Sequence, residues 1–249
     1  MERITVRAFR AVDEPELCEA YLQEHRKVLT DFGVTEIIAT DDAWKRSPDC
    51  FVIIAEHSAL GMVGGIRLQR AATLEELPME GAIWPMDHRI HATLEPFRSR
   101  GIAEVCGLWN AHRFAGRGLP TVLSMAAVSL VNQVDVRVVT CFVAHYTLRH
   151  ALKVGFTILE DVGDGGTFTY PIPQIRSIAM MIPDALRLHT AQDVYRQRLL
   201  SLRMRPVQEI LESPSGTPFM VRYFLHVDPQ LLDLRIYSEI QTVRLRLTA

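Results

Sequence analysis

Six consecutive residues, Arg113-Phe114-Ala115-Gly116-Arg117-Gly118, carry the clearest chemical signal in this chain. Gly116 and Gly118 permit a tight turn and let a ligand approach the backbone with no Cβ in the way. Leu119 and Pro120 follow, and proline suits a first helical turn because the N–H it lacks would have no partner there. A strand is expected before this segment and a helix after it, over residues 119–133. The amides of Phe114, Ala115, Gly116, Arg117, Gly118 and Leu119 then point outward together at the positive end of the helix dipole. Such a cradle suits a diphosphate, with Arg113 and Arg117 adding charge. The plainer alternative makes both arginines ordinary exposed side chains.

Other residues could move protons. Glu104, on the strand expected over residues 101–109, is either a solvated strand-end carboxylate or a general base whose pKa partial burial has raised. His145, Tyr146 and His150 follow the β-branched strand at residues 136–143; each is either a structural hydrogen-bonder or an acid. His88 and His91 with Asp87 lack a third ligand in helical register, so a solvated loop is expected there and no metal. Neither a G-x-S-x-G elbow nor a Walker loop occurs, so hydrolase and NTPase chemistry have no support.

The elements that must position these residues can be traced along the chain. Residues 4–9 alternate as a strand, and Asp13 with Pro15 opens a helix over residues 14–28. Residues 50–56 and 61–68 form an antiparallel hairpin. Residues 70–100, with Pro78, Pro85 and Pro96, have room for short helices. Strands follow at 101–109, 136–143, 156–160 and 175–182, with helices at 119–133 and 146–154. This alternation argues an α/β (α+β) mixed sheet. A soft boundary falls near Pro183, dividing residues 1–183 from a C-terminal extension, 184–249. In the extension a helix is expected over 185–205, a strand over 219–227, and a Leu/Arg alternation at the end. Arg187, Arg196, Arg198, Arg203 and Arg205 read as a solvated helix face.

Composition narrows the function classes. The chain has 249 residues, 27 Lys+Arg, 29 Asp+Glu and a formal net charge of −2. That leaves no cationic excess for nucleic acid. The longest apolar stretch, residues 119–131, is shorter than the roughly 20 residues a membrane span needs. The charged N-terminus does not resemble an export signal. Cys18, Cys50, Cys106 and Cys141 form no C-x-x-C pair and read as reduced, buried thiols of a cytoplasmic protein.

The 113–118 loop in its strand–loop–helix setting resembles the R/Q-x-x-G-x-G/A loop of the GNAT superfamily of acyltransferases. The order of elements over about residues 3–182 is similar to theirs, and Lys153-Val154-Gly155-Phe156 resembles the end of their closing helix. The resemblance implies a mixed, mostly antiparallel twisted sheet with flanking helices. Its fourth and fifth strands, here 102–109 and 136–143, would splay to admit a pantetheine arm. The chain departs from the family where many members carry Asn, here His145, and at their general-acid Tyr, here Ala151. A second resemblance is to the acyl-homoserine-lactone synthases and N-acyl amino acid synthases. Gly64-Gly65-Ile66-Arg67-Leu68 matches their G-x-x-R-L segment, and Glu104 matches a strand glutamate. Gly107 replaces the arginine of their E-x-x-R, and Arg26, Phe32, Asp41, Asp42 and Trp44 only hint at their N-terminal signature.

These resemblances imply an N-acyltransferase that uses acetyl-CoA or another acyl-CoA and a small amine or amino acid acceptor. Glu104, Tyr146 and His150 are its catalytic candidates, and a strand amide near Leu108 would meet the oxyanion. Long acyl chains carried on acyl carrier protein, and a non-catalytic acyl-CoA-binding module, remain open, as does a homodimer. Saturating acyl-CoA at one hundred times its dissociation constant should stabilise the protein by roughly 2.7 kcal/mol, read as a thermal shift.

Overall fold

A computed structural model describes residues 2–31, 33, 34, 42–71 and 76–227. Phe32, Asp41 and the terminal Leu/Arg alternation lie outside the described residues.

The second strand shows how the sheet is built. β1 (Arg3–Arg10) pairs antiparallel with β2 (Cys50–His57), and β2 with β3 (Gly61–Arg70). The run from Cys50 to Ala55 is buried on both faces, which explains why it is continuously apolar rather than alternating. Phe51, Ile53 and Ala55 face one core. Cys50, Val52 and Ile54 face another, packed on Cys18, Tyr21 and Leu22 of α1 (Pro15–Asp31).

After β3 come two short helices, α2 (Pro78–Ile83) and α3 (Arg89–Arg98), and then β4 (Ile102–Asn110). Asp87, between the helices, is no solvated loop residue: it pairs with Arg89 and accepts the Gly163 amide. The helix after the glycine loop, α4 (Leu119–Ser129), is buried along nearly its whole length. It is shorter than the expected 119–133 because residues 130–132 tighten into a 3-10 turn.

β5 (Val138–Ala144) is followed by α5 (Leu148–Val154), β6 (Thr157–Ile158), β7 (Thr167–Thr169) and β8 (Arg176–Ile182). β6 shrinks from the expected 156–160 to two residues, and β7 was not anticipated; three residues are too few to show periodicity. β8 pairs antiparallel with β5.

Residues 184–227 stay on the same body. The helix expected over 185–205 is confined to α6 (Asp193–Met204). β9 (Val207–Glu212) and β10 (Phe219–Phe224) form a hairpin, and β10 lies parallel to β1. Among the described residues the sheet therefore has ten strands, with path β6-β8-β5-β4-β3-β2-β1-β10-β9 and β7 beside β8. It is mixed and mostly antiparallel. Gln133 clamps the chain just after β10, donating to Leu225 O at 2.8 Å and accepting from Val227 N at 3.0 Å.

Arg203 departs from the expected solvated basic face. It is fully buried, and its guanidinium donates to Leu186 O at 2.9 Å, Ala185 O at 2.6 Å and Val128 O at 3.1 Å. Val128 lies in the last turn of α4, where carbonyls lack partners within the helix. Arg203→Met leaves these carbonyls unpaired. It should cost at least about 2 kcal/mol, at roughly 1–3 kcal/mol per buried unsatisfied group, measured by urea denaturation.

Candidate active site

The site begins where two strands part. β4 and β5 run parallel for three pairs only, Ile102 with Val138, Ala103 with Val139 and Glu104 with Thr140. Beyond Glu104 both strands continue without pairing to each other. On the other edge of β4, Gly65 faces Trp109 and Arg67 faces Cys106. Gly107 and Leu108 thus stand opposite Ile66 alone, forming a bulge that bends β4 out of register. Gly107 takes φ +62°, and a Cβ there would lie 2.5 Å from Tyr21 Oη and 3.1 Å from Arg67 Nε. No side chain fits, which accounts for the missing arginine of E-x-x-R. The Tyr21 hydroxyl donates to Gly107 O and ties the bulge to α1.

Glu104 occupies the last paired position before the opening. It is 2% exposed, and its Oε2 accepts the Met79 N–H at 2.6 Å. Burial pushes its pKa up to about 8, opposed by that hydrogen bond and by the Arg67 charge, and reinforced by Glu80. A solvated strand-end carboxylate is therefore not what the fold makes of it. Met79 is held in turn: Glu80 accepts the Leu77 amide at 2.8 Å and pairs with Arg98 at 2.5 Å.

Glu104 lines a cavity of about 270 Å³ together with Tyr21, His25, Trp44, Arg67 and Tyr170. The Arg67 guanidinium stacks 4.3 Å from the centre of the Trp44 ring. Its Nε and Nη1 are buried and have no hydrogen-bond partner among the described residues. Burial first, then the Arg67 charge, lowers the His25 pKa to about 4. At neutral pH the wall thus carries the Arg67 cation, a neutral imidazole and a largely protonated Glu104. Cys106 also lines this cavity and is only half-buried, unlike the other three cysteines.

The glycine loop lies at the N-terminus of α4. Two of the six amides expected to be free are taken: Phe114 N–H donates to Ala111 O and Ala115 N–H to His112 O. Among the described residues, those of Gly116, Arg117, Gly118 and Leu119 meet no protein acceptor. Gly116 (φ +76°) and Gly118 (φ +80°) supply the positive φ angles that line these amides up. The arginines are engaged with protein. Arg113 donates to Leu60 O at 3.0 Å and Met62 O at 2.8 Å. Arg117 pairs with Glu2 and lies over the Phe114 ring. The turn between β9 and β10 covers the loop, with Pro214 packed directly on Gly118.

The remaining candidates sit apart from the cavity. His150 is buried between α4 and α5, with Nδ1 2.7 Å from Thr121 Oγ1. Arg149 Nε donates to its Nε2 at 3.3 Å. Burial first, then Arg149 and Lys153, lowers its pKa to about 4, so it offers no imidazolium at neutral pH. Tyr146 is 46% exposed and meets His145 edge-on. Ala151, at the position of the family tyrosine, is buried in the core.

In the sequence, Arg67 enters only as part of a resemblance and Tyr21 only as helix core. Their shared signal was Gly107, a glycine inside a strand.

No protein-family model matches the chain, and no curated protein matches it by sequence. Solved structures do match in fold. FeeM, an N-acyl amino acid synthase from uncultured soil microbes, aligns over 73% of this chain and 92% of its own, with TM-score 0.53 and 16% identity. BjaI, a CoA-dependent acyl-homoserine lactone synthase with SAM and isopentyl-CoA, aligns over 94% and 99%, with TM-score 0.53 and 16% identity. An acyl-CoA N-acyltransferase from Pseudomonas aeruginosa aligns over 72% and 98%, with TM-score 0.51 and 14% identity. The chain has the GNAT-like acyltransferase fold.

The Glu104 carboxyl has a testable consequence for stability. In the folded chain it stays protonated up to about pH 8, against the usual 4.5. The unfolded chain therefore loses this proton first, and stability falls as pH rises between those values. Glu104→Gln, whose amide oxygen can still accept the Met79 N–H, should match the wild type below that window and exceed its stability increasingly across it. Urea denaturation at several pH values reads the difference.

Proposed function

We propose that this protein is an N-acyltransferase that moves an acyl group from a thioester to a small amine or amino acid seated in the Glu104 cavity. One observation carries the reading: a buried carboxyl with a pKa near 8 stands at the last paired position before two strands separate, facing a cavity of acceptor size. The thioester lies between β4 and β5, and the amine approaches from the cavity. Glu104, as carboxylate, takes the proton of the entering ammonium, directly or through water. The free amine nitrogen attacks the carbonyl carbon, and a β4 amide near Leu108 meets the oxyanion. The C–S bond then breaks and the thiolate departs. Ala151 supplies no acid, and His150 and Tyr146 stay away from the cavity, so alignment of amine and thioester bears most of the rate.

The two partnerless guanidinium nitrogens of Arg67 favour an acceptor with a carboxylate over a plain amine. The donor in this reading is acyl-CoA, its diphosphate on the amides of Gly116 to Leu119. A second reading, an acyl chain on the phosphopantetheine of an acyl carrier protein, is favoured by Pro214 lying on Gly118. No helix among the described residues is long and apolar enough to cross a membrane; a cytoplasmic setting is part of the same proposal. A homodimer belongs to the same proposal.

The test follows thiol release from acetyl-CoA, longer acyl-CoAs and carrier thioesters in the presence of an amine and amino acid panel. Turnover supports an enzyme; thermal stabilisation by acyl-CoA with no turnover would instead indicate a binding module. The rate should rise with pH through about 8. Glu104→Gln should remove that limb and lower the rate by about 10²–10⁴, with donor binding retained.

A further inference from the structure

The six residues between β9 and β10, residues 213–218, lie on the start of α4. A Cβ on Gly118 would stand 2.6 Å from Pro214 Cγ and 3.2 Å from Ser215 N, so the turn sits in contact with the glycine backbone. Ser215 Oγ donates to Gly116 O at 2.8 Å, and Lys153 Nζ donates to Pro214 O at 3.0 Å. These contacts satisfy carbonyls and leave the neighbouring amides as they were. From Gly116 to Leu119 the N–H groups have no protein acceptor among the described residues, and Gly118 and Leu119 are buried. Covering the Gly118 and Leu119 donors without pairing them is unfavourable. A ligand anion would pair them.

The stem of the hairpin is held far more firmly than its tip. β10 is hydrogen-bonded on both edges, to β1 and to β9. Phe219 is buried and meets Phe114 edge-on, and the Tyr223 hydroxyl donates to Glu212 at 3.0 Å. At the tip, Ser213, Ser215, Gly216, Thr217 and Pro218 are exposed and Pro214 is half-buried. The tip can therefore lift while the stem stays paired.

We infer that the β9–β10 turn selects the donor: it is a cover, closed in the free protein by Ser215, Pro214 and Lys153, that an incoming diphosphate must displace from the amides of Gly116 to Leu119. The inference rests on the reading that these amides receive the donor's diphosphate. Lifting the tip exchanges two hydrogen bonds to carbonyls for several from amides to a charged acceptor, and it frees the Lys153 ammonium beside the same anion. Donors that carry a nucleotide diphosphate bear the cost of opening. Pantetheine thioesters, which have no diphosphate, bear none of it. The covered state lowers apparent affinity by the fraction of molecules that are open.

The probes are CoA and pantetheine, titrated calorimetrically into the full chain, its Ser215→Ala variant and the Pro214→Gly/Ser215→Ala double variant. Ser215 is exposed, so both variants should fold, and urea midpoints close to the wild type verify this. Loss of one closing hydrogen bond should tighten CoA binding about two- to tenfold, more in the double variant, and leave pantetheine unchanged. Hydrogen exchange at residues 116–119 in the absence of ligand should also quicken in the variants. Unchanged or weaker CoA binding, or an equal gain for pantetheine, overturns the inference. Failure of CoA to bind any of the three proteins overturns it together with the acyl-CoA donor. Turnover of a pantetheine or carrier thioester in those same proteins would leave acyl transfer itself standing.

Discussion

The whole arrangement depends on β4 ceasing to pair with β5 after Glu104. Two parallel strands in a sheet interior normally continue their ladder, because each unpaired backbone group is costly there. Here the ladder is ended from the opposite edge. The bulge at Gly107 and Leu108 turns β4, and the Tyr21 hydroxyl holds the bulge to α1. A gap in the sheet results, with backbone polar groups on its walls and a carboxyl at its closed end. Neither α1 nor β3 could approach so closely if residue 107 carried a side chain.

The charges around the gap follow from burial more than from pairing. Arg67 stacks on Trp44 with two nitrogens unpartnered, and Glu104 is anchored to a backbone amide rather than to that arginine. Had the two formed a tight ion pair, Glu104 would ionise near its ordinary pKa and be a weak base. Separated and desolvated, its pKa is held near 8. The lowered His25 pKa belongs to the same field.

The C-terminal segment changes the other half of the molecule. It widens the sheet beyond β1, and Arg203 on Val128 O and Gln133 on Leu225 and Val227 bind it to the core through backbone groups. Its hairpin tip reaches the start of α4. A segment that binds to the core thereby also packs against the glycine loop.

The strands expected over residues 50–56 and 61–68, a helix starting at Leu119, and the strand–loop–helix around Gly116 and Gly118 were legible in the sequence, because local periodicity and turn residues specify them without reference to distant chain. The resemblance to GNAT acyltransferases rested on those local signals, and the fold agrees. What lay beyond the sequence was every fact that depends on residues far apart meeting. Arg203 among buried carbonyls, Arg113 and Arg117 engaged with protein, His150 tied to Thr121 and Pro214 on Gly118 are of this kind. The residue types at the site were written in the chain. Which of them share a cavity, and what protonation state burial gives them, was decided only by tertiary packing, because desolvation and pairing act through space and leave no trace in spacing along the chain.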